Sequence, residues 1–265
     1  MTRITIGQYY PSNSIIHRID PRVKLAGTMF YITSLFFVNH FAGYGVAALF
    51  IIFLVKLANV PLLFLMRGLR AVLFILSFAI VLNLFMTPGE TLLFSLGFLS
   101  VTMEGVIMAG QMALRLVLLI TGSSILTLTT SPIQLTDGIE ALLKPLKPIK
   151  VPAHDIAMMM TIALRFIPTL AEEMDKIMKA QKARGAELDT GGLLKRAKSL
   201  LPILVPLFVS AFKRADELAT AMEARCYRGD VNRTRMKIMR IAKADWLAVG
   251  AVTVFGVLLF LTRML

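Results

Sequence analysis

Long apolar runs separated by short polar stretches dominate this chain. They cover residues 25–38, 43–55, 69–86, 105–129 and 246–261. Several approach the roughly 20 residues that an α-helix needs to cross about 30 Å of hydrocarbon. The pattern therefore predicts an all-α, polytopic membrane protein with about five transmembrane helices, of which the first two form a short helical hairpin.

The region between the fourth and fifth runs has a different pattern, in which apolar positions keep a helical period among many charges. Ser131 and Pro132 suit an N-cap and a first helical position, and a short amphipathic helix follows until Pro145. Two longer helices follow it, one after Pro152 and one after a glycine-ended turn at 186–192. Each of the two begins apolar and ends charged.

These patterns predict three parts: a membrane domain over 1–130 with four spans, a domain over 131–242 with one short and two long helices, and a final transmembrane helix in 243–265. The apolar beginnings of the two long helices, 156–166 and 200–212, are too short to span a bilayer, and we expect them to be buried beneath the spans. Prolines inside both helices are expected to kink them.

The distribution of lysine and arginine predicts the orientation. Segments 1–24 and 56–70 contain these residues, whereas the connections at 39–42 and 87–104 contain none. Residues 131–243 hold 20 Lys plus Arg against 12 Asp plus Glu, a surplus of 20 − 12 = +8. Because Lys and Arg are held on the cytoplasmic side of a membrane, the N-terminus and residues 131–242 are predicted to be cytoplasmic.

Composition excludes several classes of function. The hydrophobic fraction of 57% exceeds that of ordinary soluble domains, and the net charge of +13 is explained by the cytoplasmic bias rather than by nucleic acid. The single Cys226 excludes an intrachain disulfide, and no cleavable signal peptide is expected. The three histidines have no ligand spacing, so neither a metal nor a cofactor is predicted.

Enzymatic chemistry is not expected either. No phosphate-binding loop of the Gly-Xaa4-Gly-Lys-Ser/Thr type occurs, so ATP chemistry would have to come from a partner. The predicted spans contain no Asp or Glu, which an intramembrane hydrolase would need. The sequence thus predicts a non-catalytic protein with no catalytic residues.

One motif occurs twice, at a spacing of 41 residues, near the ends of the two long helices. Arginine in a last helical turn complements the helix dipole, and glycine caps helix ends, which accounts for either end alone. Two tips in the same register also suit docking into grooves of a cytoplasmic partner. The residues concerned are Ala180, Ala183, Arg184 and Gly185 at the first tip, and Ala221, Ala224 and Arg225 at the second.

Longer segments around these motifs resemble a known family. They are Arg165-Phe-Ile-Pro-Thr-Leu, Lys179-Ala-Gln-Lys-Ala-Arg-Gly, Leu201-Pro-Ile-Leu-Val-Pro-Leu-Phe and Ala221-Met-Glu-Ala-Arg-Cys-Tyr-Arg-Gly. They are similar to the transmembrane component of energy-coupling factor (ECF) transporters, the prokaryotic importers of vitamins and micronutrients. The resemblance covers nearly the whole chain, although Cys226 stands where that family often has glycine.

The resemblance implies a transmembrane scaffold and coupling subunit in a prokaryotic cytoplasmic membrane. Its two tips would dock into two ATP-binding subunits of the ABC type, and a separate substrate-binding membrane protein, the S component, would supply specificity. The ATPase-binding residues would then be the seven tip residues named above.

Arg115 is a charge deep in the fourth predicted span, where it should face the bundle. We favour a structural hydrogen bond to a neighbouring span. The alternative is a self-sufficient secondary transporter or channel in which Arg115 and Gln111 line the path, and a third possibility is a membrane adaptor that anchors a cytoplasmic enzyme.

Overall fold

A computed structural model describes residues 9–87, 91–96, 99–186, 192–229, 239 and 241–263. The described residues divide into two compact units, one within 140–237 and one within 7–139 and 238–265. The first is called the helical unit and the second the membrane unit below. Both consist almost entirely of α-helix, as the sequence predicted.

In the described part of the chain, six helices precede the helical unit, and one more follows it. The boundary between the two units falls inside the sixth helix. These helices are α1 (Ile15–Arg18), α2 (Pro21–Phe36), α3 (Phe41–Ala58), α4 (Leu62–Met86), α5 (Met103–Thr129), α6 (Pro132–Leu143) and α9 (Lys243–Arg263).

Among the described residues, three helices are long and apolar enough to cross a membrane: α3, α5 and α9. A fourth is added if the two parts of α4, Leu63–Arg70 and Val72–Met86, which meet at 57°, form one span. The first predicted span corresponds to α2, whose 16 residues fall short of that length. The fold is therefore all-α and polytopic, with three or four spans on these criteria where the apolar runs suggested about five.

The core of the membrane unit is built where α2, α3, α5 and α9 meet. Tyr31 is 4% exposed and donates a hydrogen bond to the Leu118 carbonyl at 3.1 Å. Its ring lies 5.5 Å from that of Phe255, which stacks on Phe50 at 4.4 Å. A Cβ at Gly122 would overlap the Tyr31 ring, so glycine is required for this close approach of α2 and α5.

The connection between α4 and α5 contains an antiparallel strand pair, β1 (Leu92–Leu96) and β2 (Leu99–Thr102). No pattern in the sequence predicted this strand pair. Thr102 ends β2 and also caps α5, because its hydroxyl accepts a hydrogen bond from the Gly105 N–H at 3.1 Å.

The helical unit continues from α6 through a 3₁₀ helix (Lys144–Ile149) into the long helices α7 (Ala153–Ala183) and α8 (Leu193–Ala224). The predicted start of α6 is confirmed, since Ser131 and Gln134 exchange side-chain and backbone hydrogen bonds as a capping box. Pro168 lies within α7, and neither it nor the two prolines of α8 breaks its helix.

Within the helical unit, the apolar start of α8 is only partly covered, and its burial beneath the spans stays a prediction. Ile203 is buried, but most of its large apolar neighbours are exposed by 43% to 68%. Helical periodicity identifies an apolar face without saying what covers it. The exposed set recurs at steps of three and four and is called the apolar face of α8: Leu201, Leu204, Val205, Phe208, Val209 and Phe212.

Candidate functional site

The repeated motif lies at the ends of α7 and α8, and all seven predicted site residues are exposed. Arg184 is the C-cap of α7, and Arg225 is the C-cap of α8. Each arginine therefore lies one helical turn beyond an exposed alanine, Ala180 or Ala221, on the same side of its helix. The first tip is the group Ala180, Ala183, Arg184 and Gly185, and the second tip is the group Ala221, Ala224 and Arg225.

Both tips end in the same hydrogen-bonded cap. At the first, Gly185 N–H donates to the Lys182 carbonyl at 3.0 Å, and Ala186 N–H donates to the Gln181 carbonyl at 3.0 Å. This pair of bonds defines a Schellman motif, which satisfies carbonyls that a helix end leaves unpaired.

The second tip repeats these bonds 41 positions later. Cys226 N–H donates to the Glu223 carbonyl at 2.8 Å, and Tyr227 N–H donates to the Met222 carbonyl at 3.0 Å. Cys226 has φ +54°, and Gly185 has φ +84°, so both adopt the left-handed conformation that such a cap requires. The substitution of cysteine for glycine therefore leaves the position of the helix end unchanged.

The two long helices pack antiparallel, so the tips point to opposite ends of the pair. The Gln181 side chain, near the end of α7, donates to the Pro202 carbonyl near the start of α8 at 3.3 Å. Midway along, Glu173 accepts hydrogen bonds from Ser210 and from Arg214. The structure therefore brings together the residues of each tip and keeps the two tips apart.

The central ion pair joins equivalent positions of the repeat, because 214 − 173 = 41. Arg184 lies 184 − 173 = 11 residues beyond Glu173, and Arg225 lies 225 − 214 = 11 residues beyond Arg214. At a rise of 1.5 Å per residue, each tip is roughly 16 Å along its helix from the ion pair. The pair of helices α7 and α8 thus has approximate two-fold symmetry about the ion pair.

A partly buried chain of polar side chains lies beside the second tip. The Tyr227 hydroxyl lies 3.3 Å from His154 Nε2, and His154 Nδ1 lies 3.4 Å from Glu140 Oε1. Because the carboxylate accepts, Nδ1 carries the hydrogen, and Nε2 accepts from the tyrosine when the ring is neutral. Sequence reasoning treated His154 as an isolated histidine, since its partners lie 14 and 73 positions away.

Arg115 binds the turn of the first hairpin, as the sequence led us to expect of a structural residue. Its Nη2 donates to the Val38 carbonyl at 3.0 Å, and its Nε donates to the Tyr44 hydroxyl at 3.1 Å. Gln111, one turn away, donates to the Asn39 carbonyl at 2.9 Å. Both side chains therefore satisfy backbone carbonyls that lipid could not.

A buried acidic group, which the sequence did not reveal, joins the starts of α2 and α9. Asp245 is 2% exposed, and its carboxylate accepts the Asp20 N–H at 2.7 Å and the Ala242 N–H at 2.6 Å. Nearby, Lys24 Nζ donates a hydrogen bond to the Thr129 carbonyl at 2.9 Å and another to the His17 carbonyl at 3.3 Å. The signal available in the sequence was a lysine and an aspartate, each directly before a predicted span.

His17 lies beside this group, outside the spans. Its Nε2 lies 2.9 Å from the Tyr10 carbonyl, and Ser14 Oγ lies 2.7 Å from Nδ1. A carbonyl can only accept, so Nε2 carries the hydrogen. Burial lowers the pKa of His17. The hydrogen bond to the Tyr10 carbonyl opposes this lowering, and the positive charge of Lys24 adds a smaller lowering.

The fold and the repeated tips define an all-α, polytopic membrane protein with paired, exposed helix ends. Residues 12–238 match the family described as cobalt transport protein, CbiQ. Among similar proteins, the energy-coupling factor transporter transmembrane protein EcfT of Ruminiclostridium cellulolyticum is 56% identical over 252 residues, 95% of this chain and 94% of the relative.

The EcfT protein of Thermosediminibacter oceani is 54% identical over 261 residues, 97% of this chain and 98% of the relative. That of Bacillus subtilis is 45% identical over 263 residues, 99% of both chains. The chain therefore belongs to the CbiQ family and is the transmembrane component of an energy-coupling factor transporter. Its location is a membrane, and its role is transport.

Proposed function

We propose that this chain is the scaffold and coupling subunit of an ATP-driven, ECF-type ABC importer of vitamins or other micronutrients. The first and second tips dock into two ATP-binding subunits, which hydrolyse ATP. The membrane unit holds a separate substrate-binding membrane protein, and the helical unit transmits the movement of the ATPases to it. In this proposal the N-terminus and residues 131–242 are cytoplasmic, as the distribution of Lys and Arg favours.

The observation that carries the proposal is the pair of helix ends with the same cap and the same exposed arginine. Two Schellman caps hold Arg184 and Arg225 in the same local geometry, exposed, at opposite ends of one antiparallel helix pair. The planar guanidinium group of arginine can donate two hydrogen bonds at once to a carboxylate or to neighbouring carbonyls. The small alanines one turn before allow a groove wall to approach the helix backbone.

The apolar face of α8 supports a second contact, with the S component. Its six side chains line one side of the helix across about three turns. Exposed apolar surface of this extent is typical of an interface, because soluble surfaces rarely expose large residues contiguously. A membrane-embedded partner of apolar surface would cover it.

A self-sufficient transporter gains no support from Arg115 and Gln111. Both side chains are engaged with the carbonyls of the hairpin turn, where they stabilise the packing of α5 against α2 and α3. A residue on a transport path would have to exchange such bonds with a substrate.

Charge reversal at both tips tests the proposal. Arg184→Glu with Arg225→Glu should abolish capture of ATP-binding subunits by the full chain purified in mild detergent, and also uptake, because each donor fork becomes an acceptor. Membrane insertion should be unchanged. Undiminished co-purification of the ATPases would contradict the docking role.

Two further variants separate charge from geometry. Arg184→Lys with Arg225→Lys keeps the charge but loses the fork, so capture should fall only in part. Arg165→Glu with Lys213→Glu makes the same change in net charge at exposed positions of α7 and α8 away from both tips, and it should leave capture intact.

A further inference from the structure

An apolar cavity of about 340 Å³ lies inside the membrane unit, between α2, α3, α5 and α9. Among the described residues that line it, Lys24 is the one charged side chain, and most of the others are aliphatic or aromatic. Its volume falls within the range of small-molecule sites in proteins. The two tips and the apolar face of α8 contribute nothing to its walls, so it is a separate candidate site.

The polar groups in the walls are bonded to the protein itself. Lys24 Nζ donates to two backbone carbonyls at one end of the cavity. Each of the hydroxyl groups in the walls donates to a helix carbonyl at 2.7 to 3.1 Å: those of Thr28, Tyr31 and Thr129. The walls therefore offer little to a polar ligand, and an occupant must be apolar along most of its length.

The cavity is elongated along the helix axes. Its lining residues extend over positions 19–31 of α2 and 244–252 of α9, which are 31 − 19 = 12 and 252 − 244 = 8 residues of helix. At a rise of 1.5 Å per residue, these stretches are roughly 18 Å and 12 Å long. One leaflet supplies about half of the roughly 30 Å of hydrocarbon in a bilayer, so the cavity matches the depth of a single leaflet.

One side of the cavity opens to the surroundings of the bundle. Phe53 of α3 and Leu247 of α9 both line it, and they are 54% and 76% exposed. Both belong to helices that are apolar and long enough to cross a membrane. A hydrocarbon chain in the bilayer can therefore enter from the side.

The end of the cavity near the starts of α2 and α9 has a basic rim. Three exposed basic residues each directly adjoin a lining residue in the sequence: Arg18, Lys56 and Lys243. The acidic residues beside them, Asp20 and Asp245, are 7% and 2% exposed, and their carboxylates accept backbone N–H groups. The charge that this end presents to its surroundings is therefore positive.

We propose that the cavity binds one acyl chain of an anionic phospholipid, with the phosphate of the headgroup at the basic rim. Basic pockets between membrane helices bind anionic headgroups by the same electrostatic attraction. A neutral phospholipid suits the walls but gains nothing from the rim, whereas a soluble anion suits the rim but not the walls. The site belongs to the membrane unit alone and does not depend on docking at the tips.

Native mass spectrometry tests the site on the tagged full-length chain, purified in mild detergent with the subunits that it retains and washed free of lipid. The sample receives equal amounts of phosphatidylglycerol and phosphatidylcholine with identical acyl chains. Wild type should retain one phosphatidylglycerol per chain, in about tenfold preference to phosphatidylcholine. This preference should shrink as salt screens the rim.

A wall variant tests the cavity. Ala248→Phe with Ala251→Phe places two rings in it and should abolish retention of both lipids. The matched control, Val254→Phe with Val257→Phe, adds the same rings at exposed positions of α9 outside the cavity and should leave retention unchanged.

A rim variant tests the headgroup contact. Arg18→Gln, Lys56→Gln and Lys243→Gln together should reduce retention of phosphatidylglycerol about tenfold and leave that of phosphatidylcholine unchanged. The matched control removes the same charge from exposed positions of the helical unit and should have no effect: Arg165→Gln, Lys176→Gln and Lys213→Gln. Because the rim variant alters only exposed side chains, it tests the proposal even where the wall variant does not fold.

Equal retention of the two lipids by wild type would overturn the proposal, as would unchanged phosphatidylglycerol retention in the rim variant or in a folded wall variant. The full-length chain separated from its subunits serves as a further sample. Retention by the separated chain but not by the complex would mean that a protein subunit covers the cavity, which would also overturn the proposal.

Discussion

The Schellman caps at the two tips predict opposite responses to a pair of small substitutions. Gly185 has φ +84°, and no atom lies within 4 Å of a Cβ built there, so Gly185→Ala adds no clash and its cost is conformational. An L-residue in the left-handed region costs about 1–2 kcal/mol. The lower entropy of the unfolded alanine chain returns about 0.4–1 kcal/mol, which leaves a net loss of about 0.5–1 kcal/mol.

Cys226 already bears this cost, with φ +54°. Cys226→Gly should therefore stabilise the second cap by about the same 0.5–1 kcal/mol. Because 1.36 kcal/mol is a factor of ten, each change corresponds to roughly a two- to fivefold shift in the opening of the cap. Gly185→Ala should weaken ATPase docking at the first tip in parallel.

Amide hydrogen exchange measures the opening directly. The reporters are the Ala186 N–H, bonded to the Gln181 carbonyl, and the Tyr227 N–H, bonded to the Met222 carbonyl. Gly185→Ala should speed exchange at the first roughly two- to fivefold, and Cys226→Gly should slow it at the second by the same factor. Each tip serves as the unmutated control for the other. Unchanged exchange at Ala186 in the first variant would refute the assignment of the cap.

Two predictions concern the membrane unit. Asp245→Ala should lower its stability by about 2–4 kcal/mol, because the buried Asp20 N–H and the partly buried Ala242 N–H lose their acceptor and Lys24 loses a nearby carboxylate. Thermal unfolding in detergent measures this, and a midpoint equal to wild type would contradict it. The lowered pKa of His17 contributes stability that is present above the unfolded value of 6.5 and is lost as pH falls through the folded value. Melting between pH 7.5 and 5 should therefore fall more steeply in wild type than in His17→Gln, and parallel profiles would count against a neutral His17.

The sequence was most informative where structure depends on neighbours along the chain. Apolar runs located α3, α5 and α9, and the serine-proline pair located the start of α6. The 41-residue repeat located both tips, since a helix end is specified by the few residues around its cap. The residues predicted to bind the ATPases remain a prediction, and the structure places them all on exposed helix ends.

Other features depend on partners far apart in the chain, which no local pattern contains. The Asp20 N–H and Asp245 are 225 positions apart, and Arg115 lies 77 positions from the Val38 carbonyl that it binds. Burial is decided in the same way: periodicity showed that α8 has an apolar face, but only packing showed that the helical unit itself leaves most of this face uncovered.

By itself, the sequence determined the membrane class, the helices and the repeated arginine ends, because hydrophobic length and helix capping are local properties. The tertiary structure decided that α7 and α8 pack antiparallel about Glu173 and Arg214. It therefore also decided that the tips point to opposite ends of the helix pair. These relations arise only when distant segments share contacts, and together they turn two separate motifs into one symmetrical pair of ends.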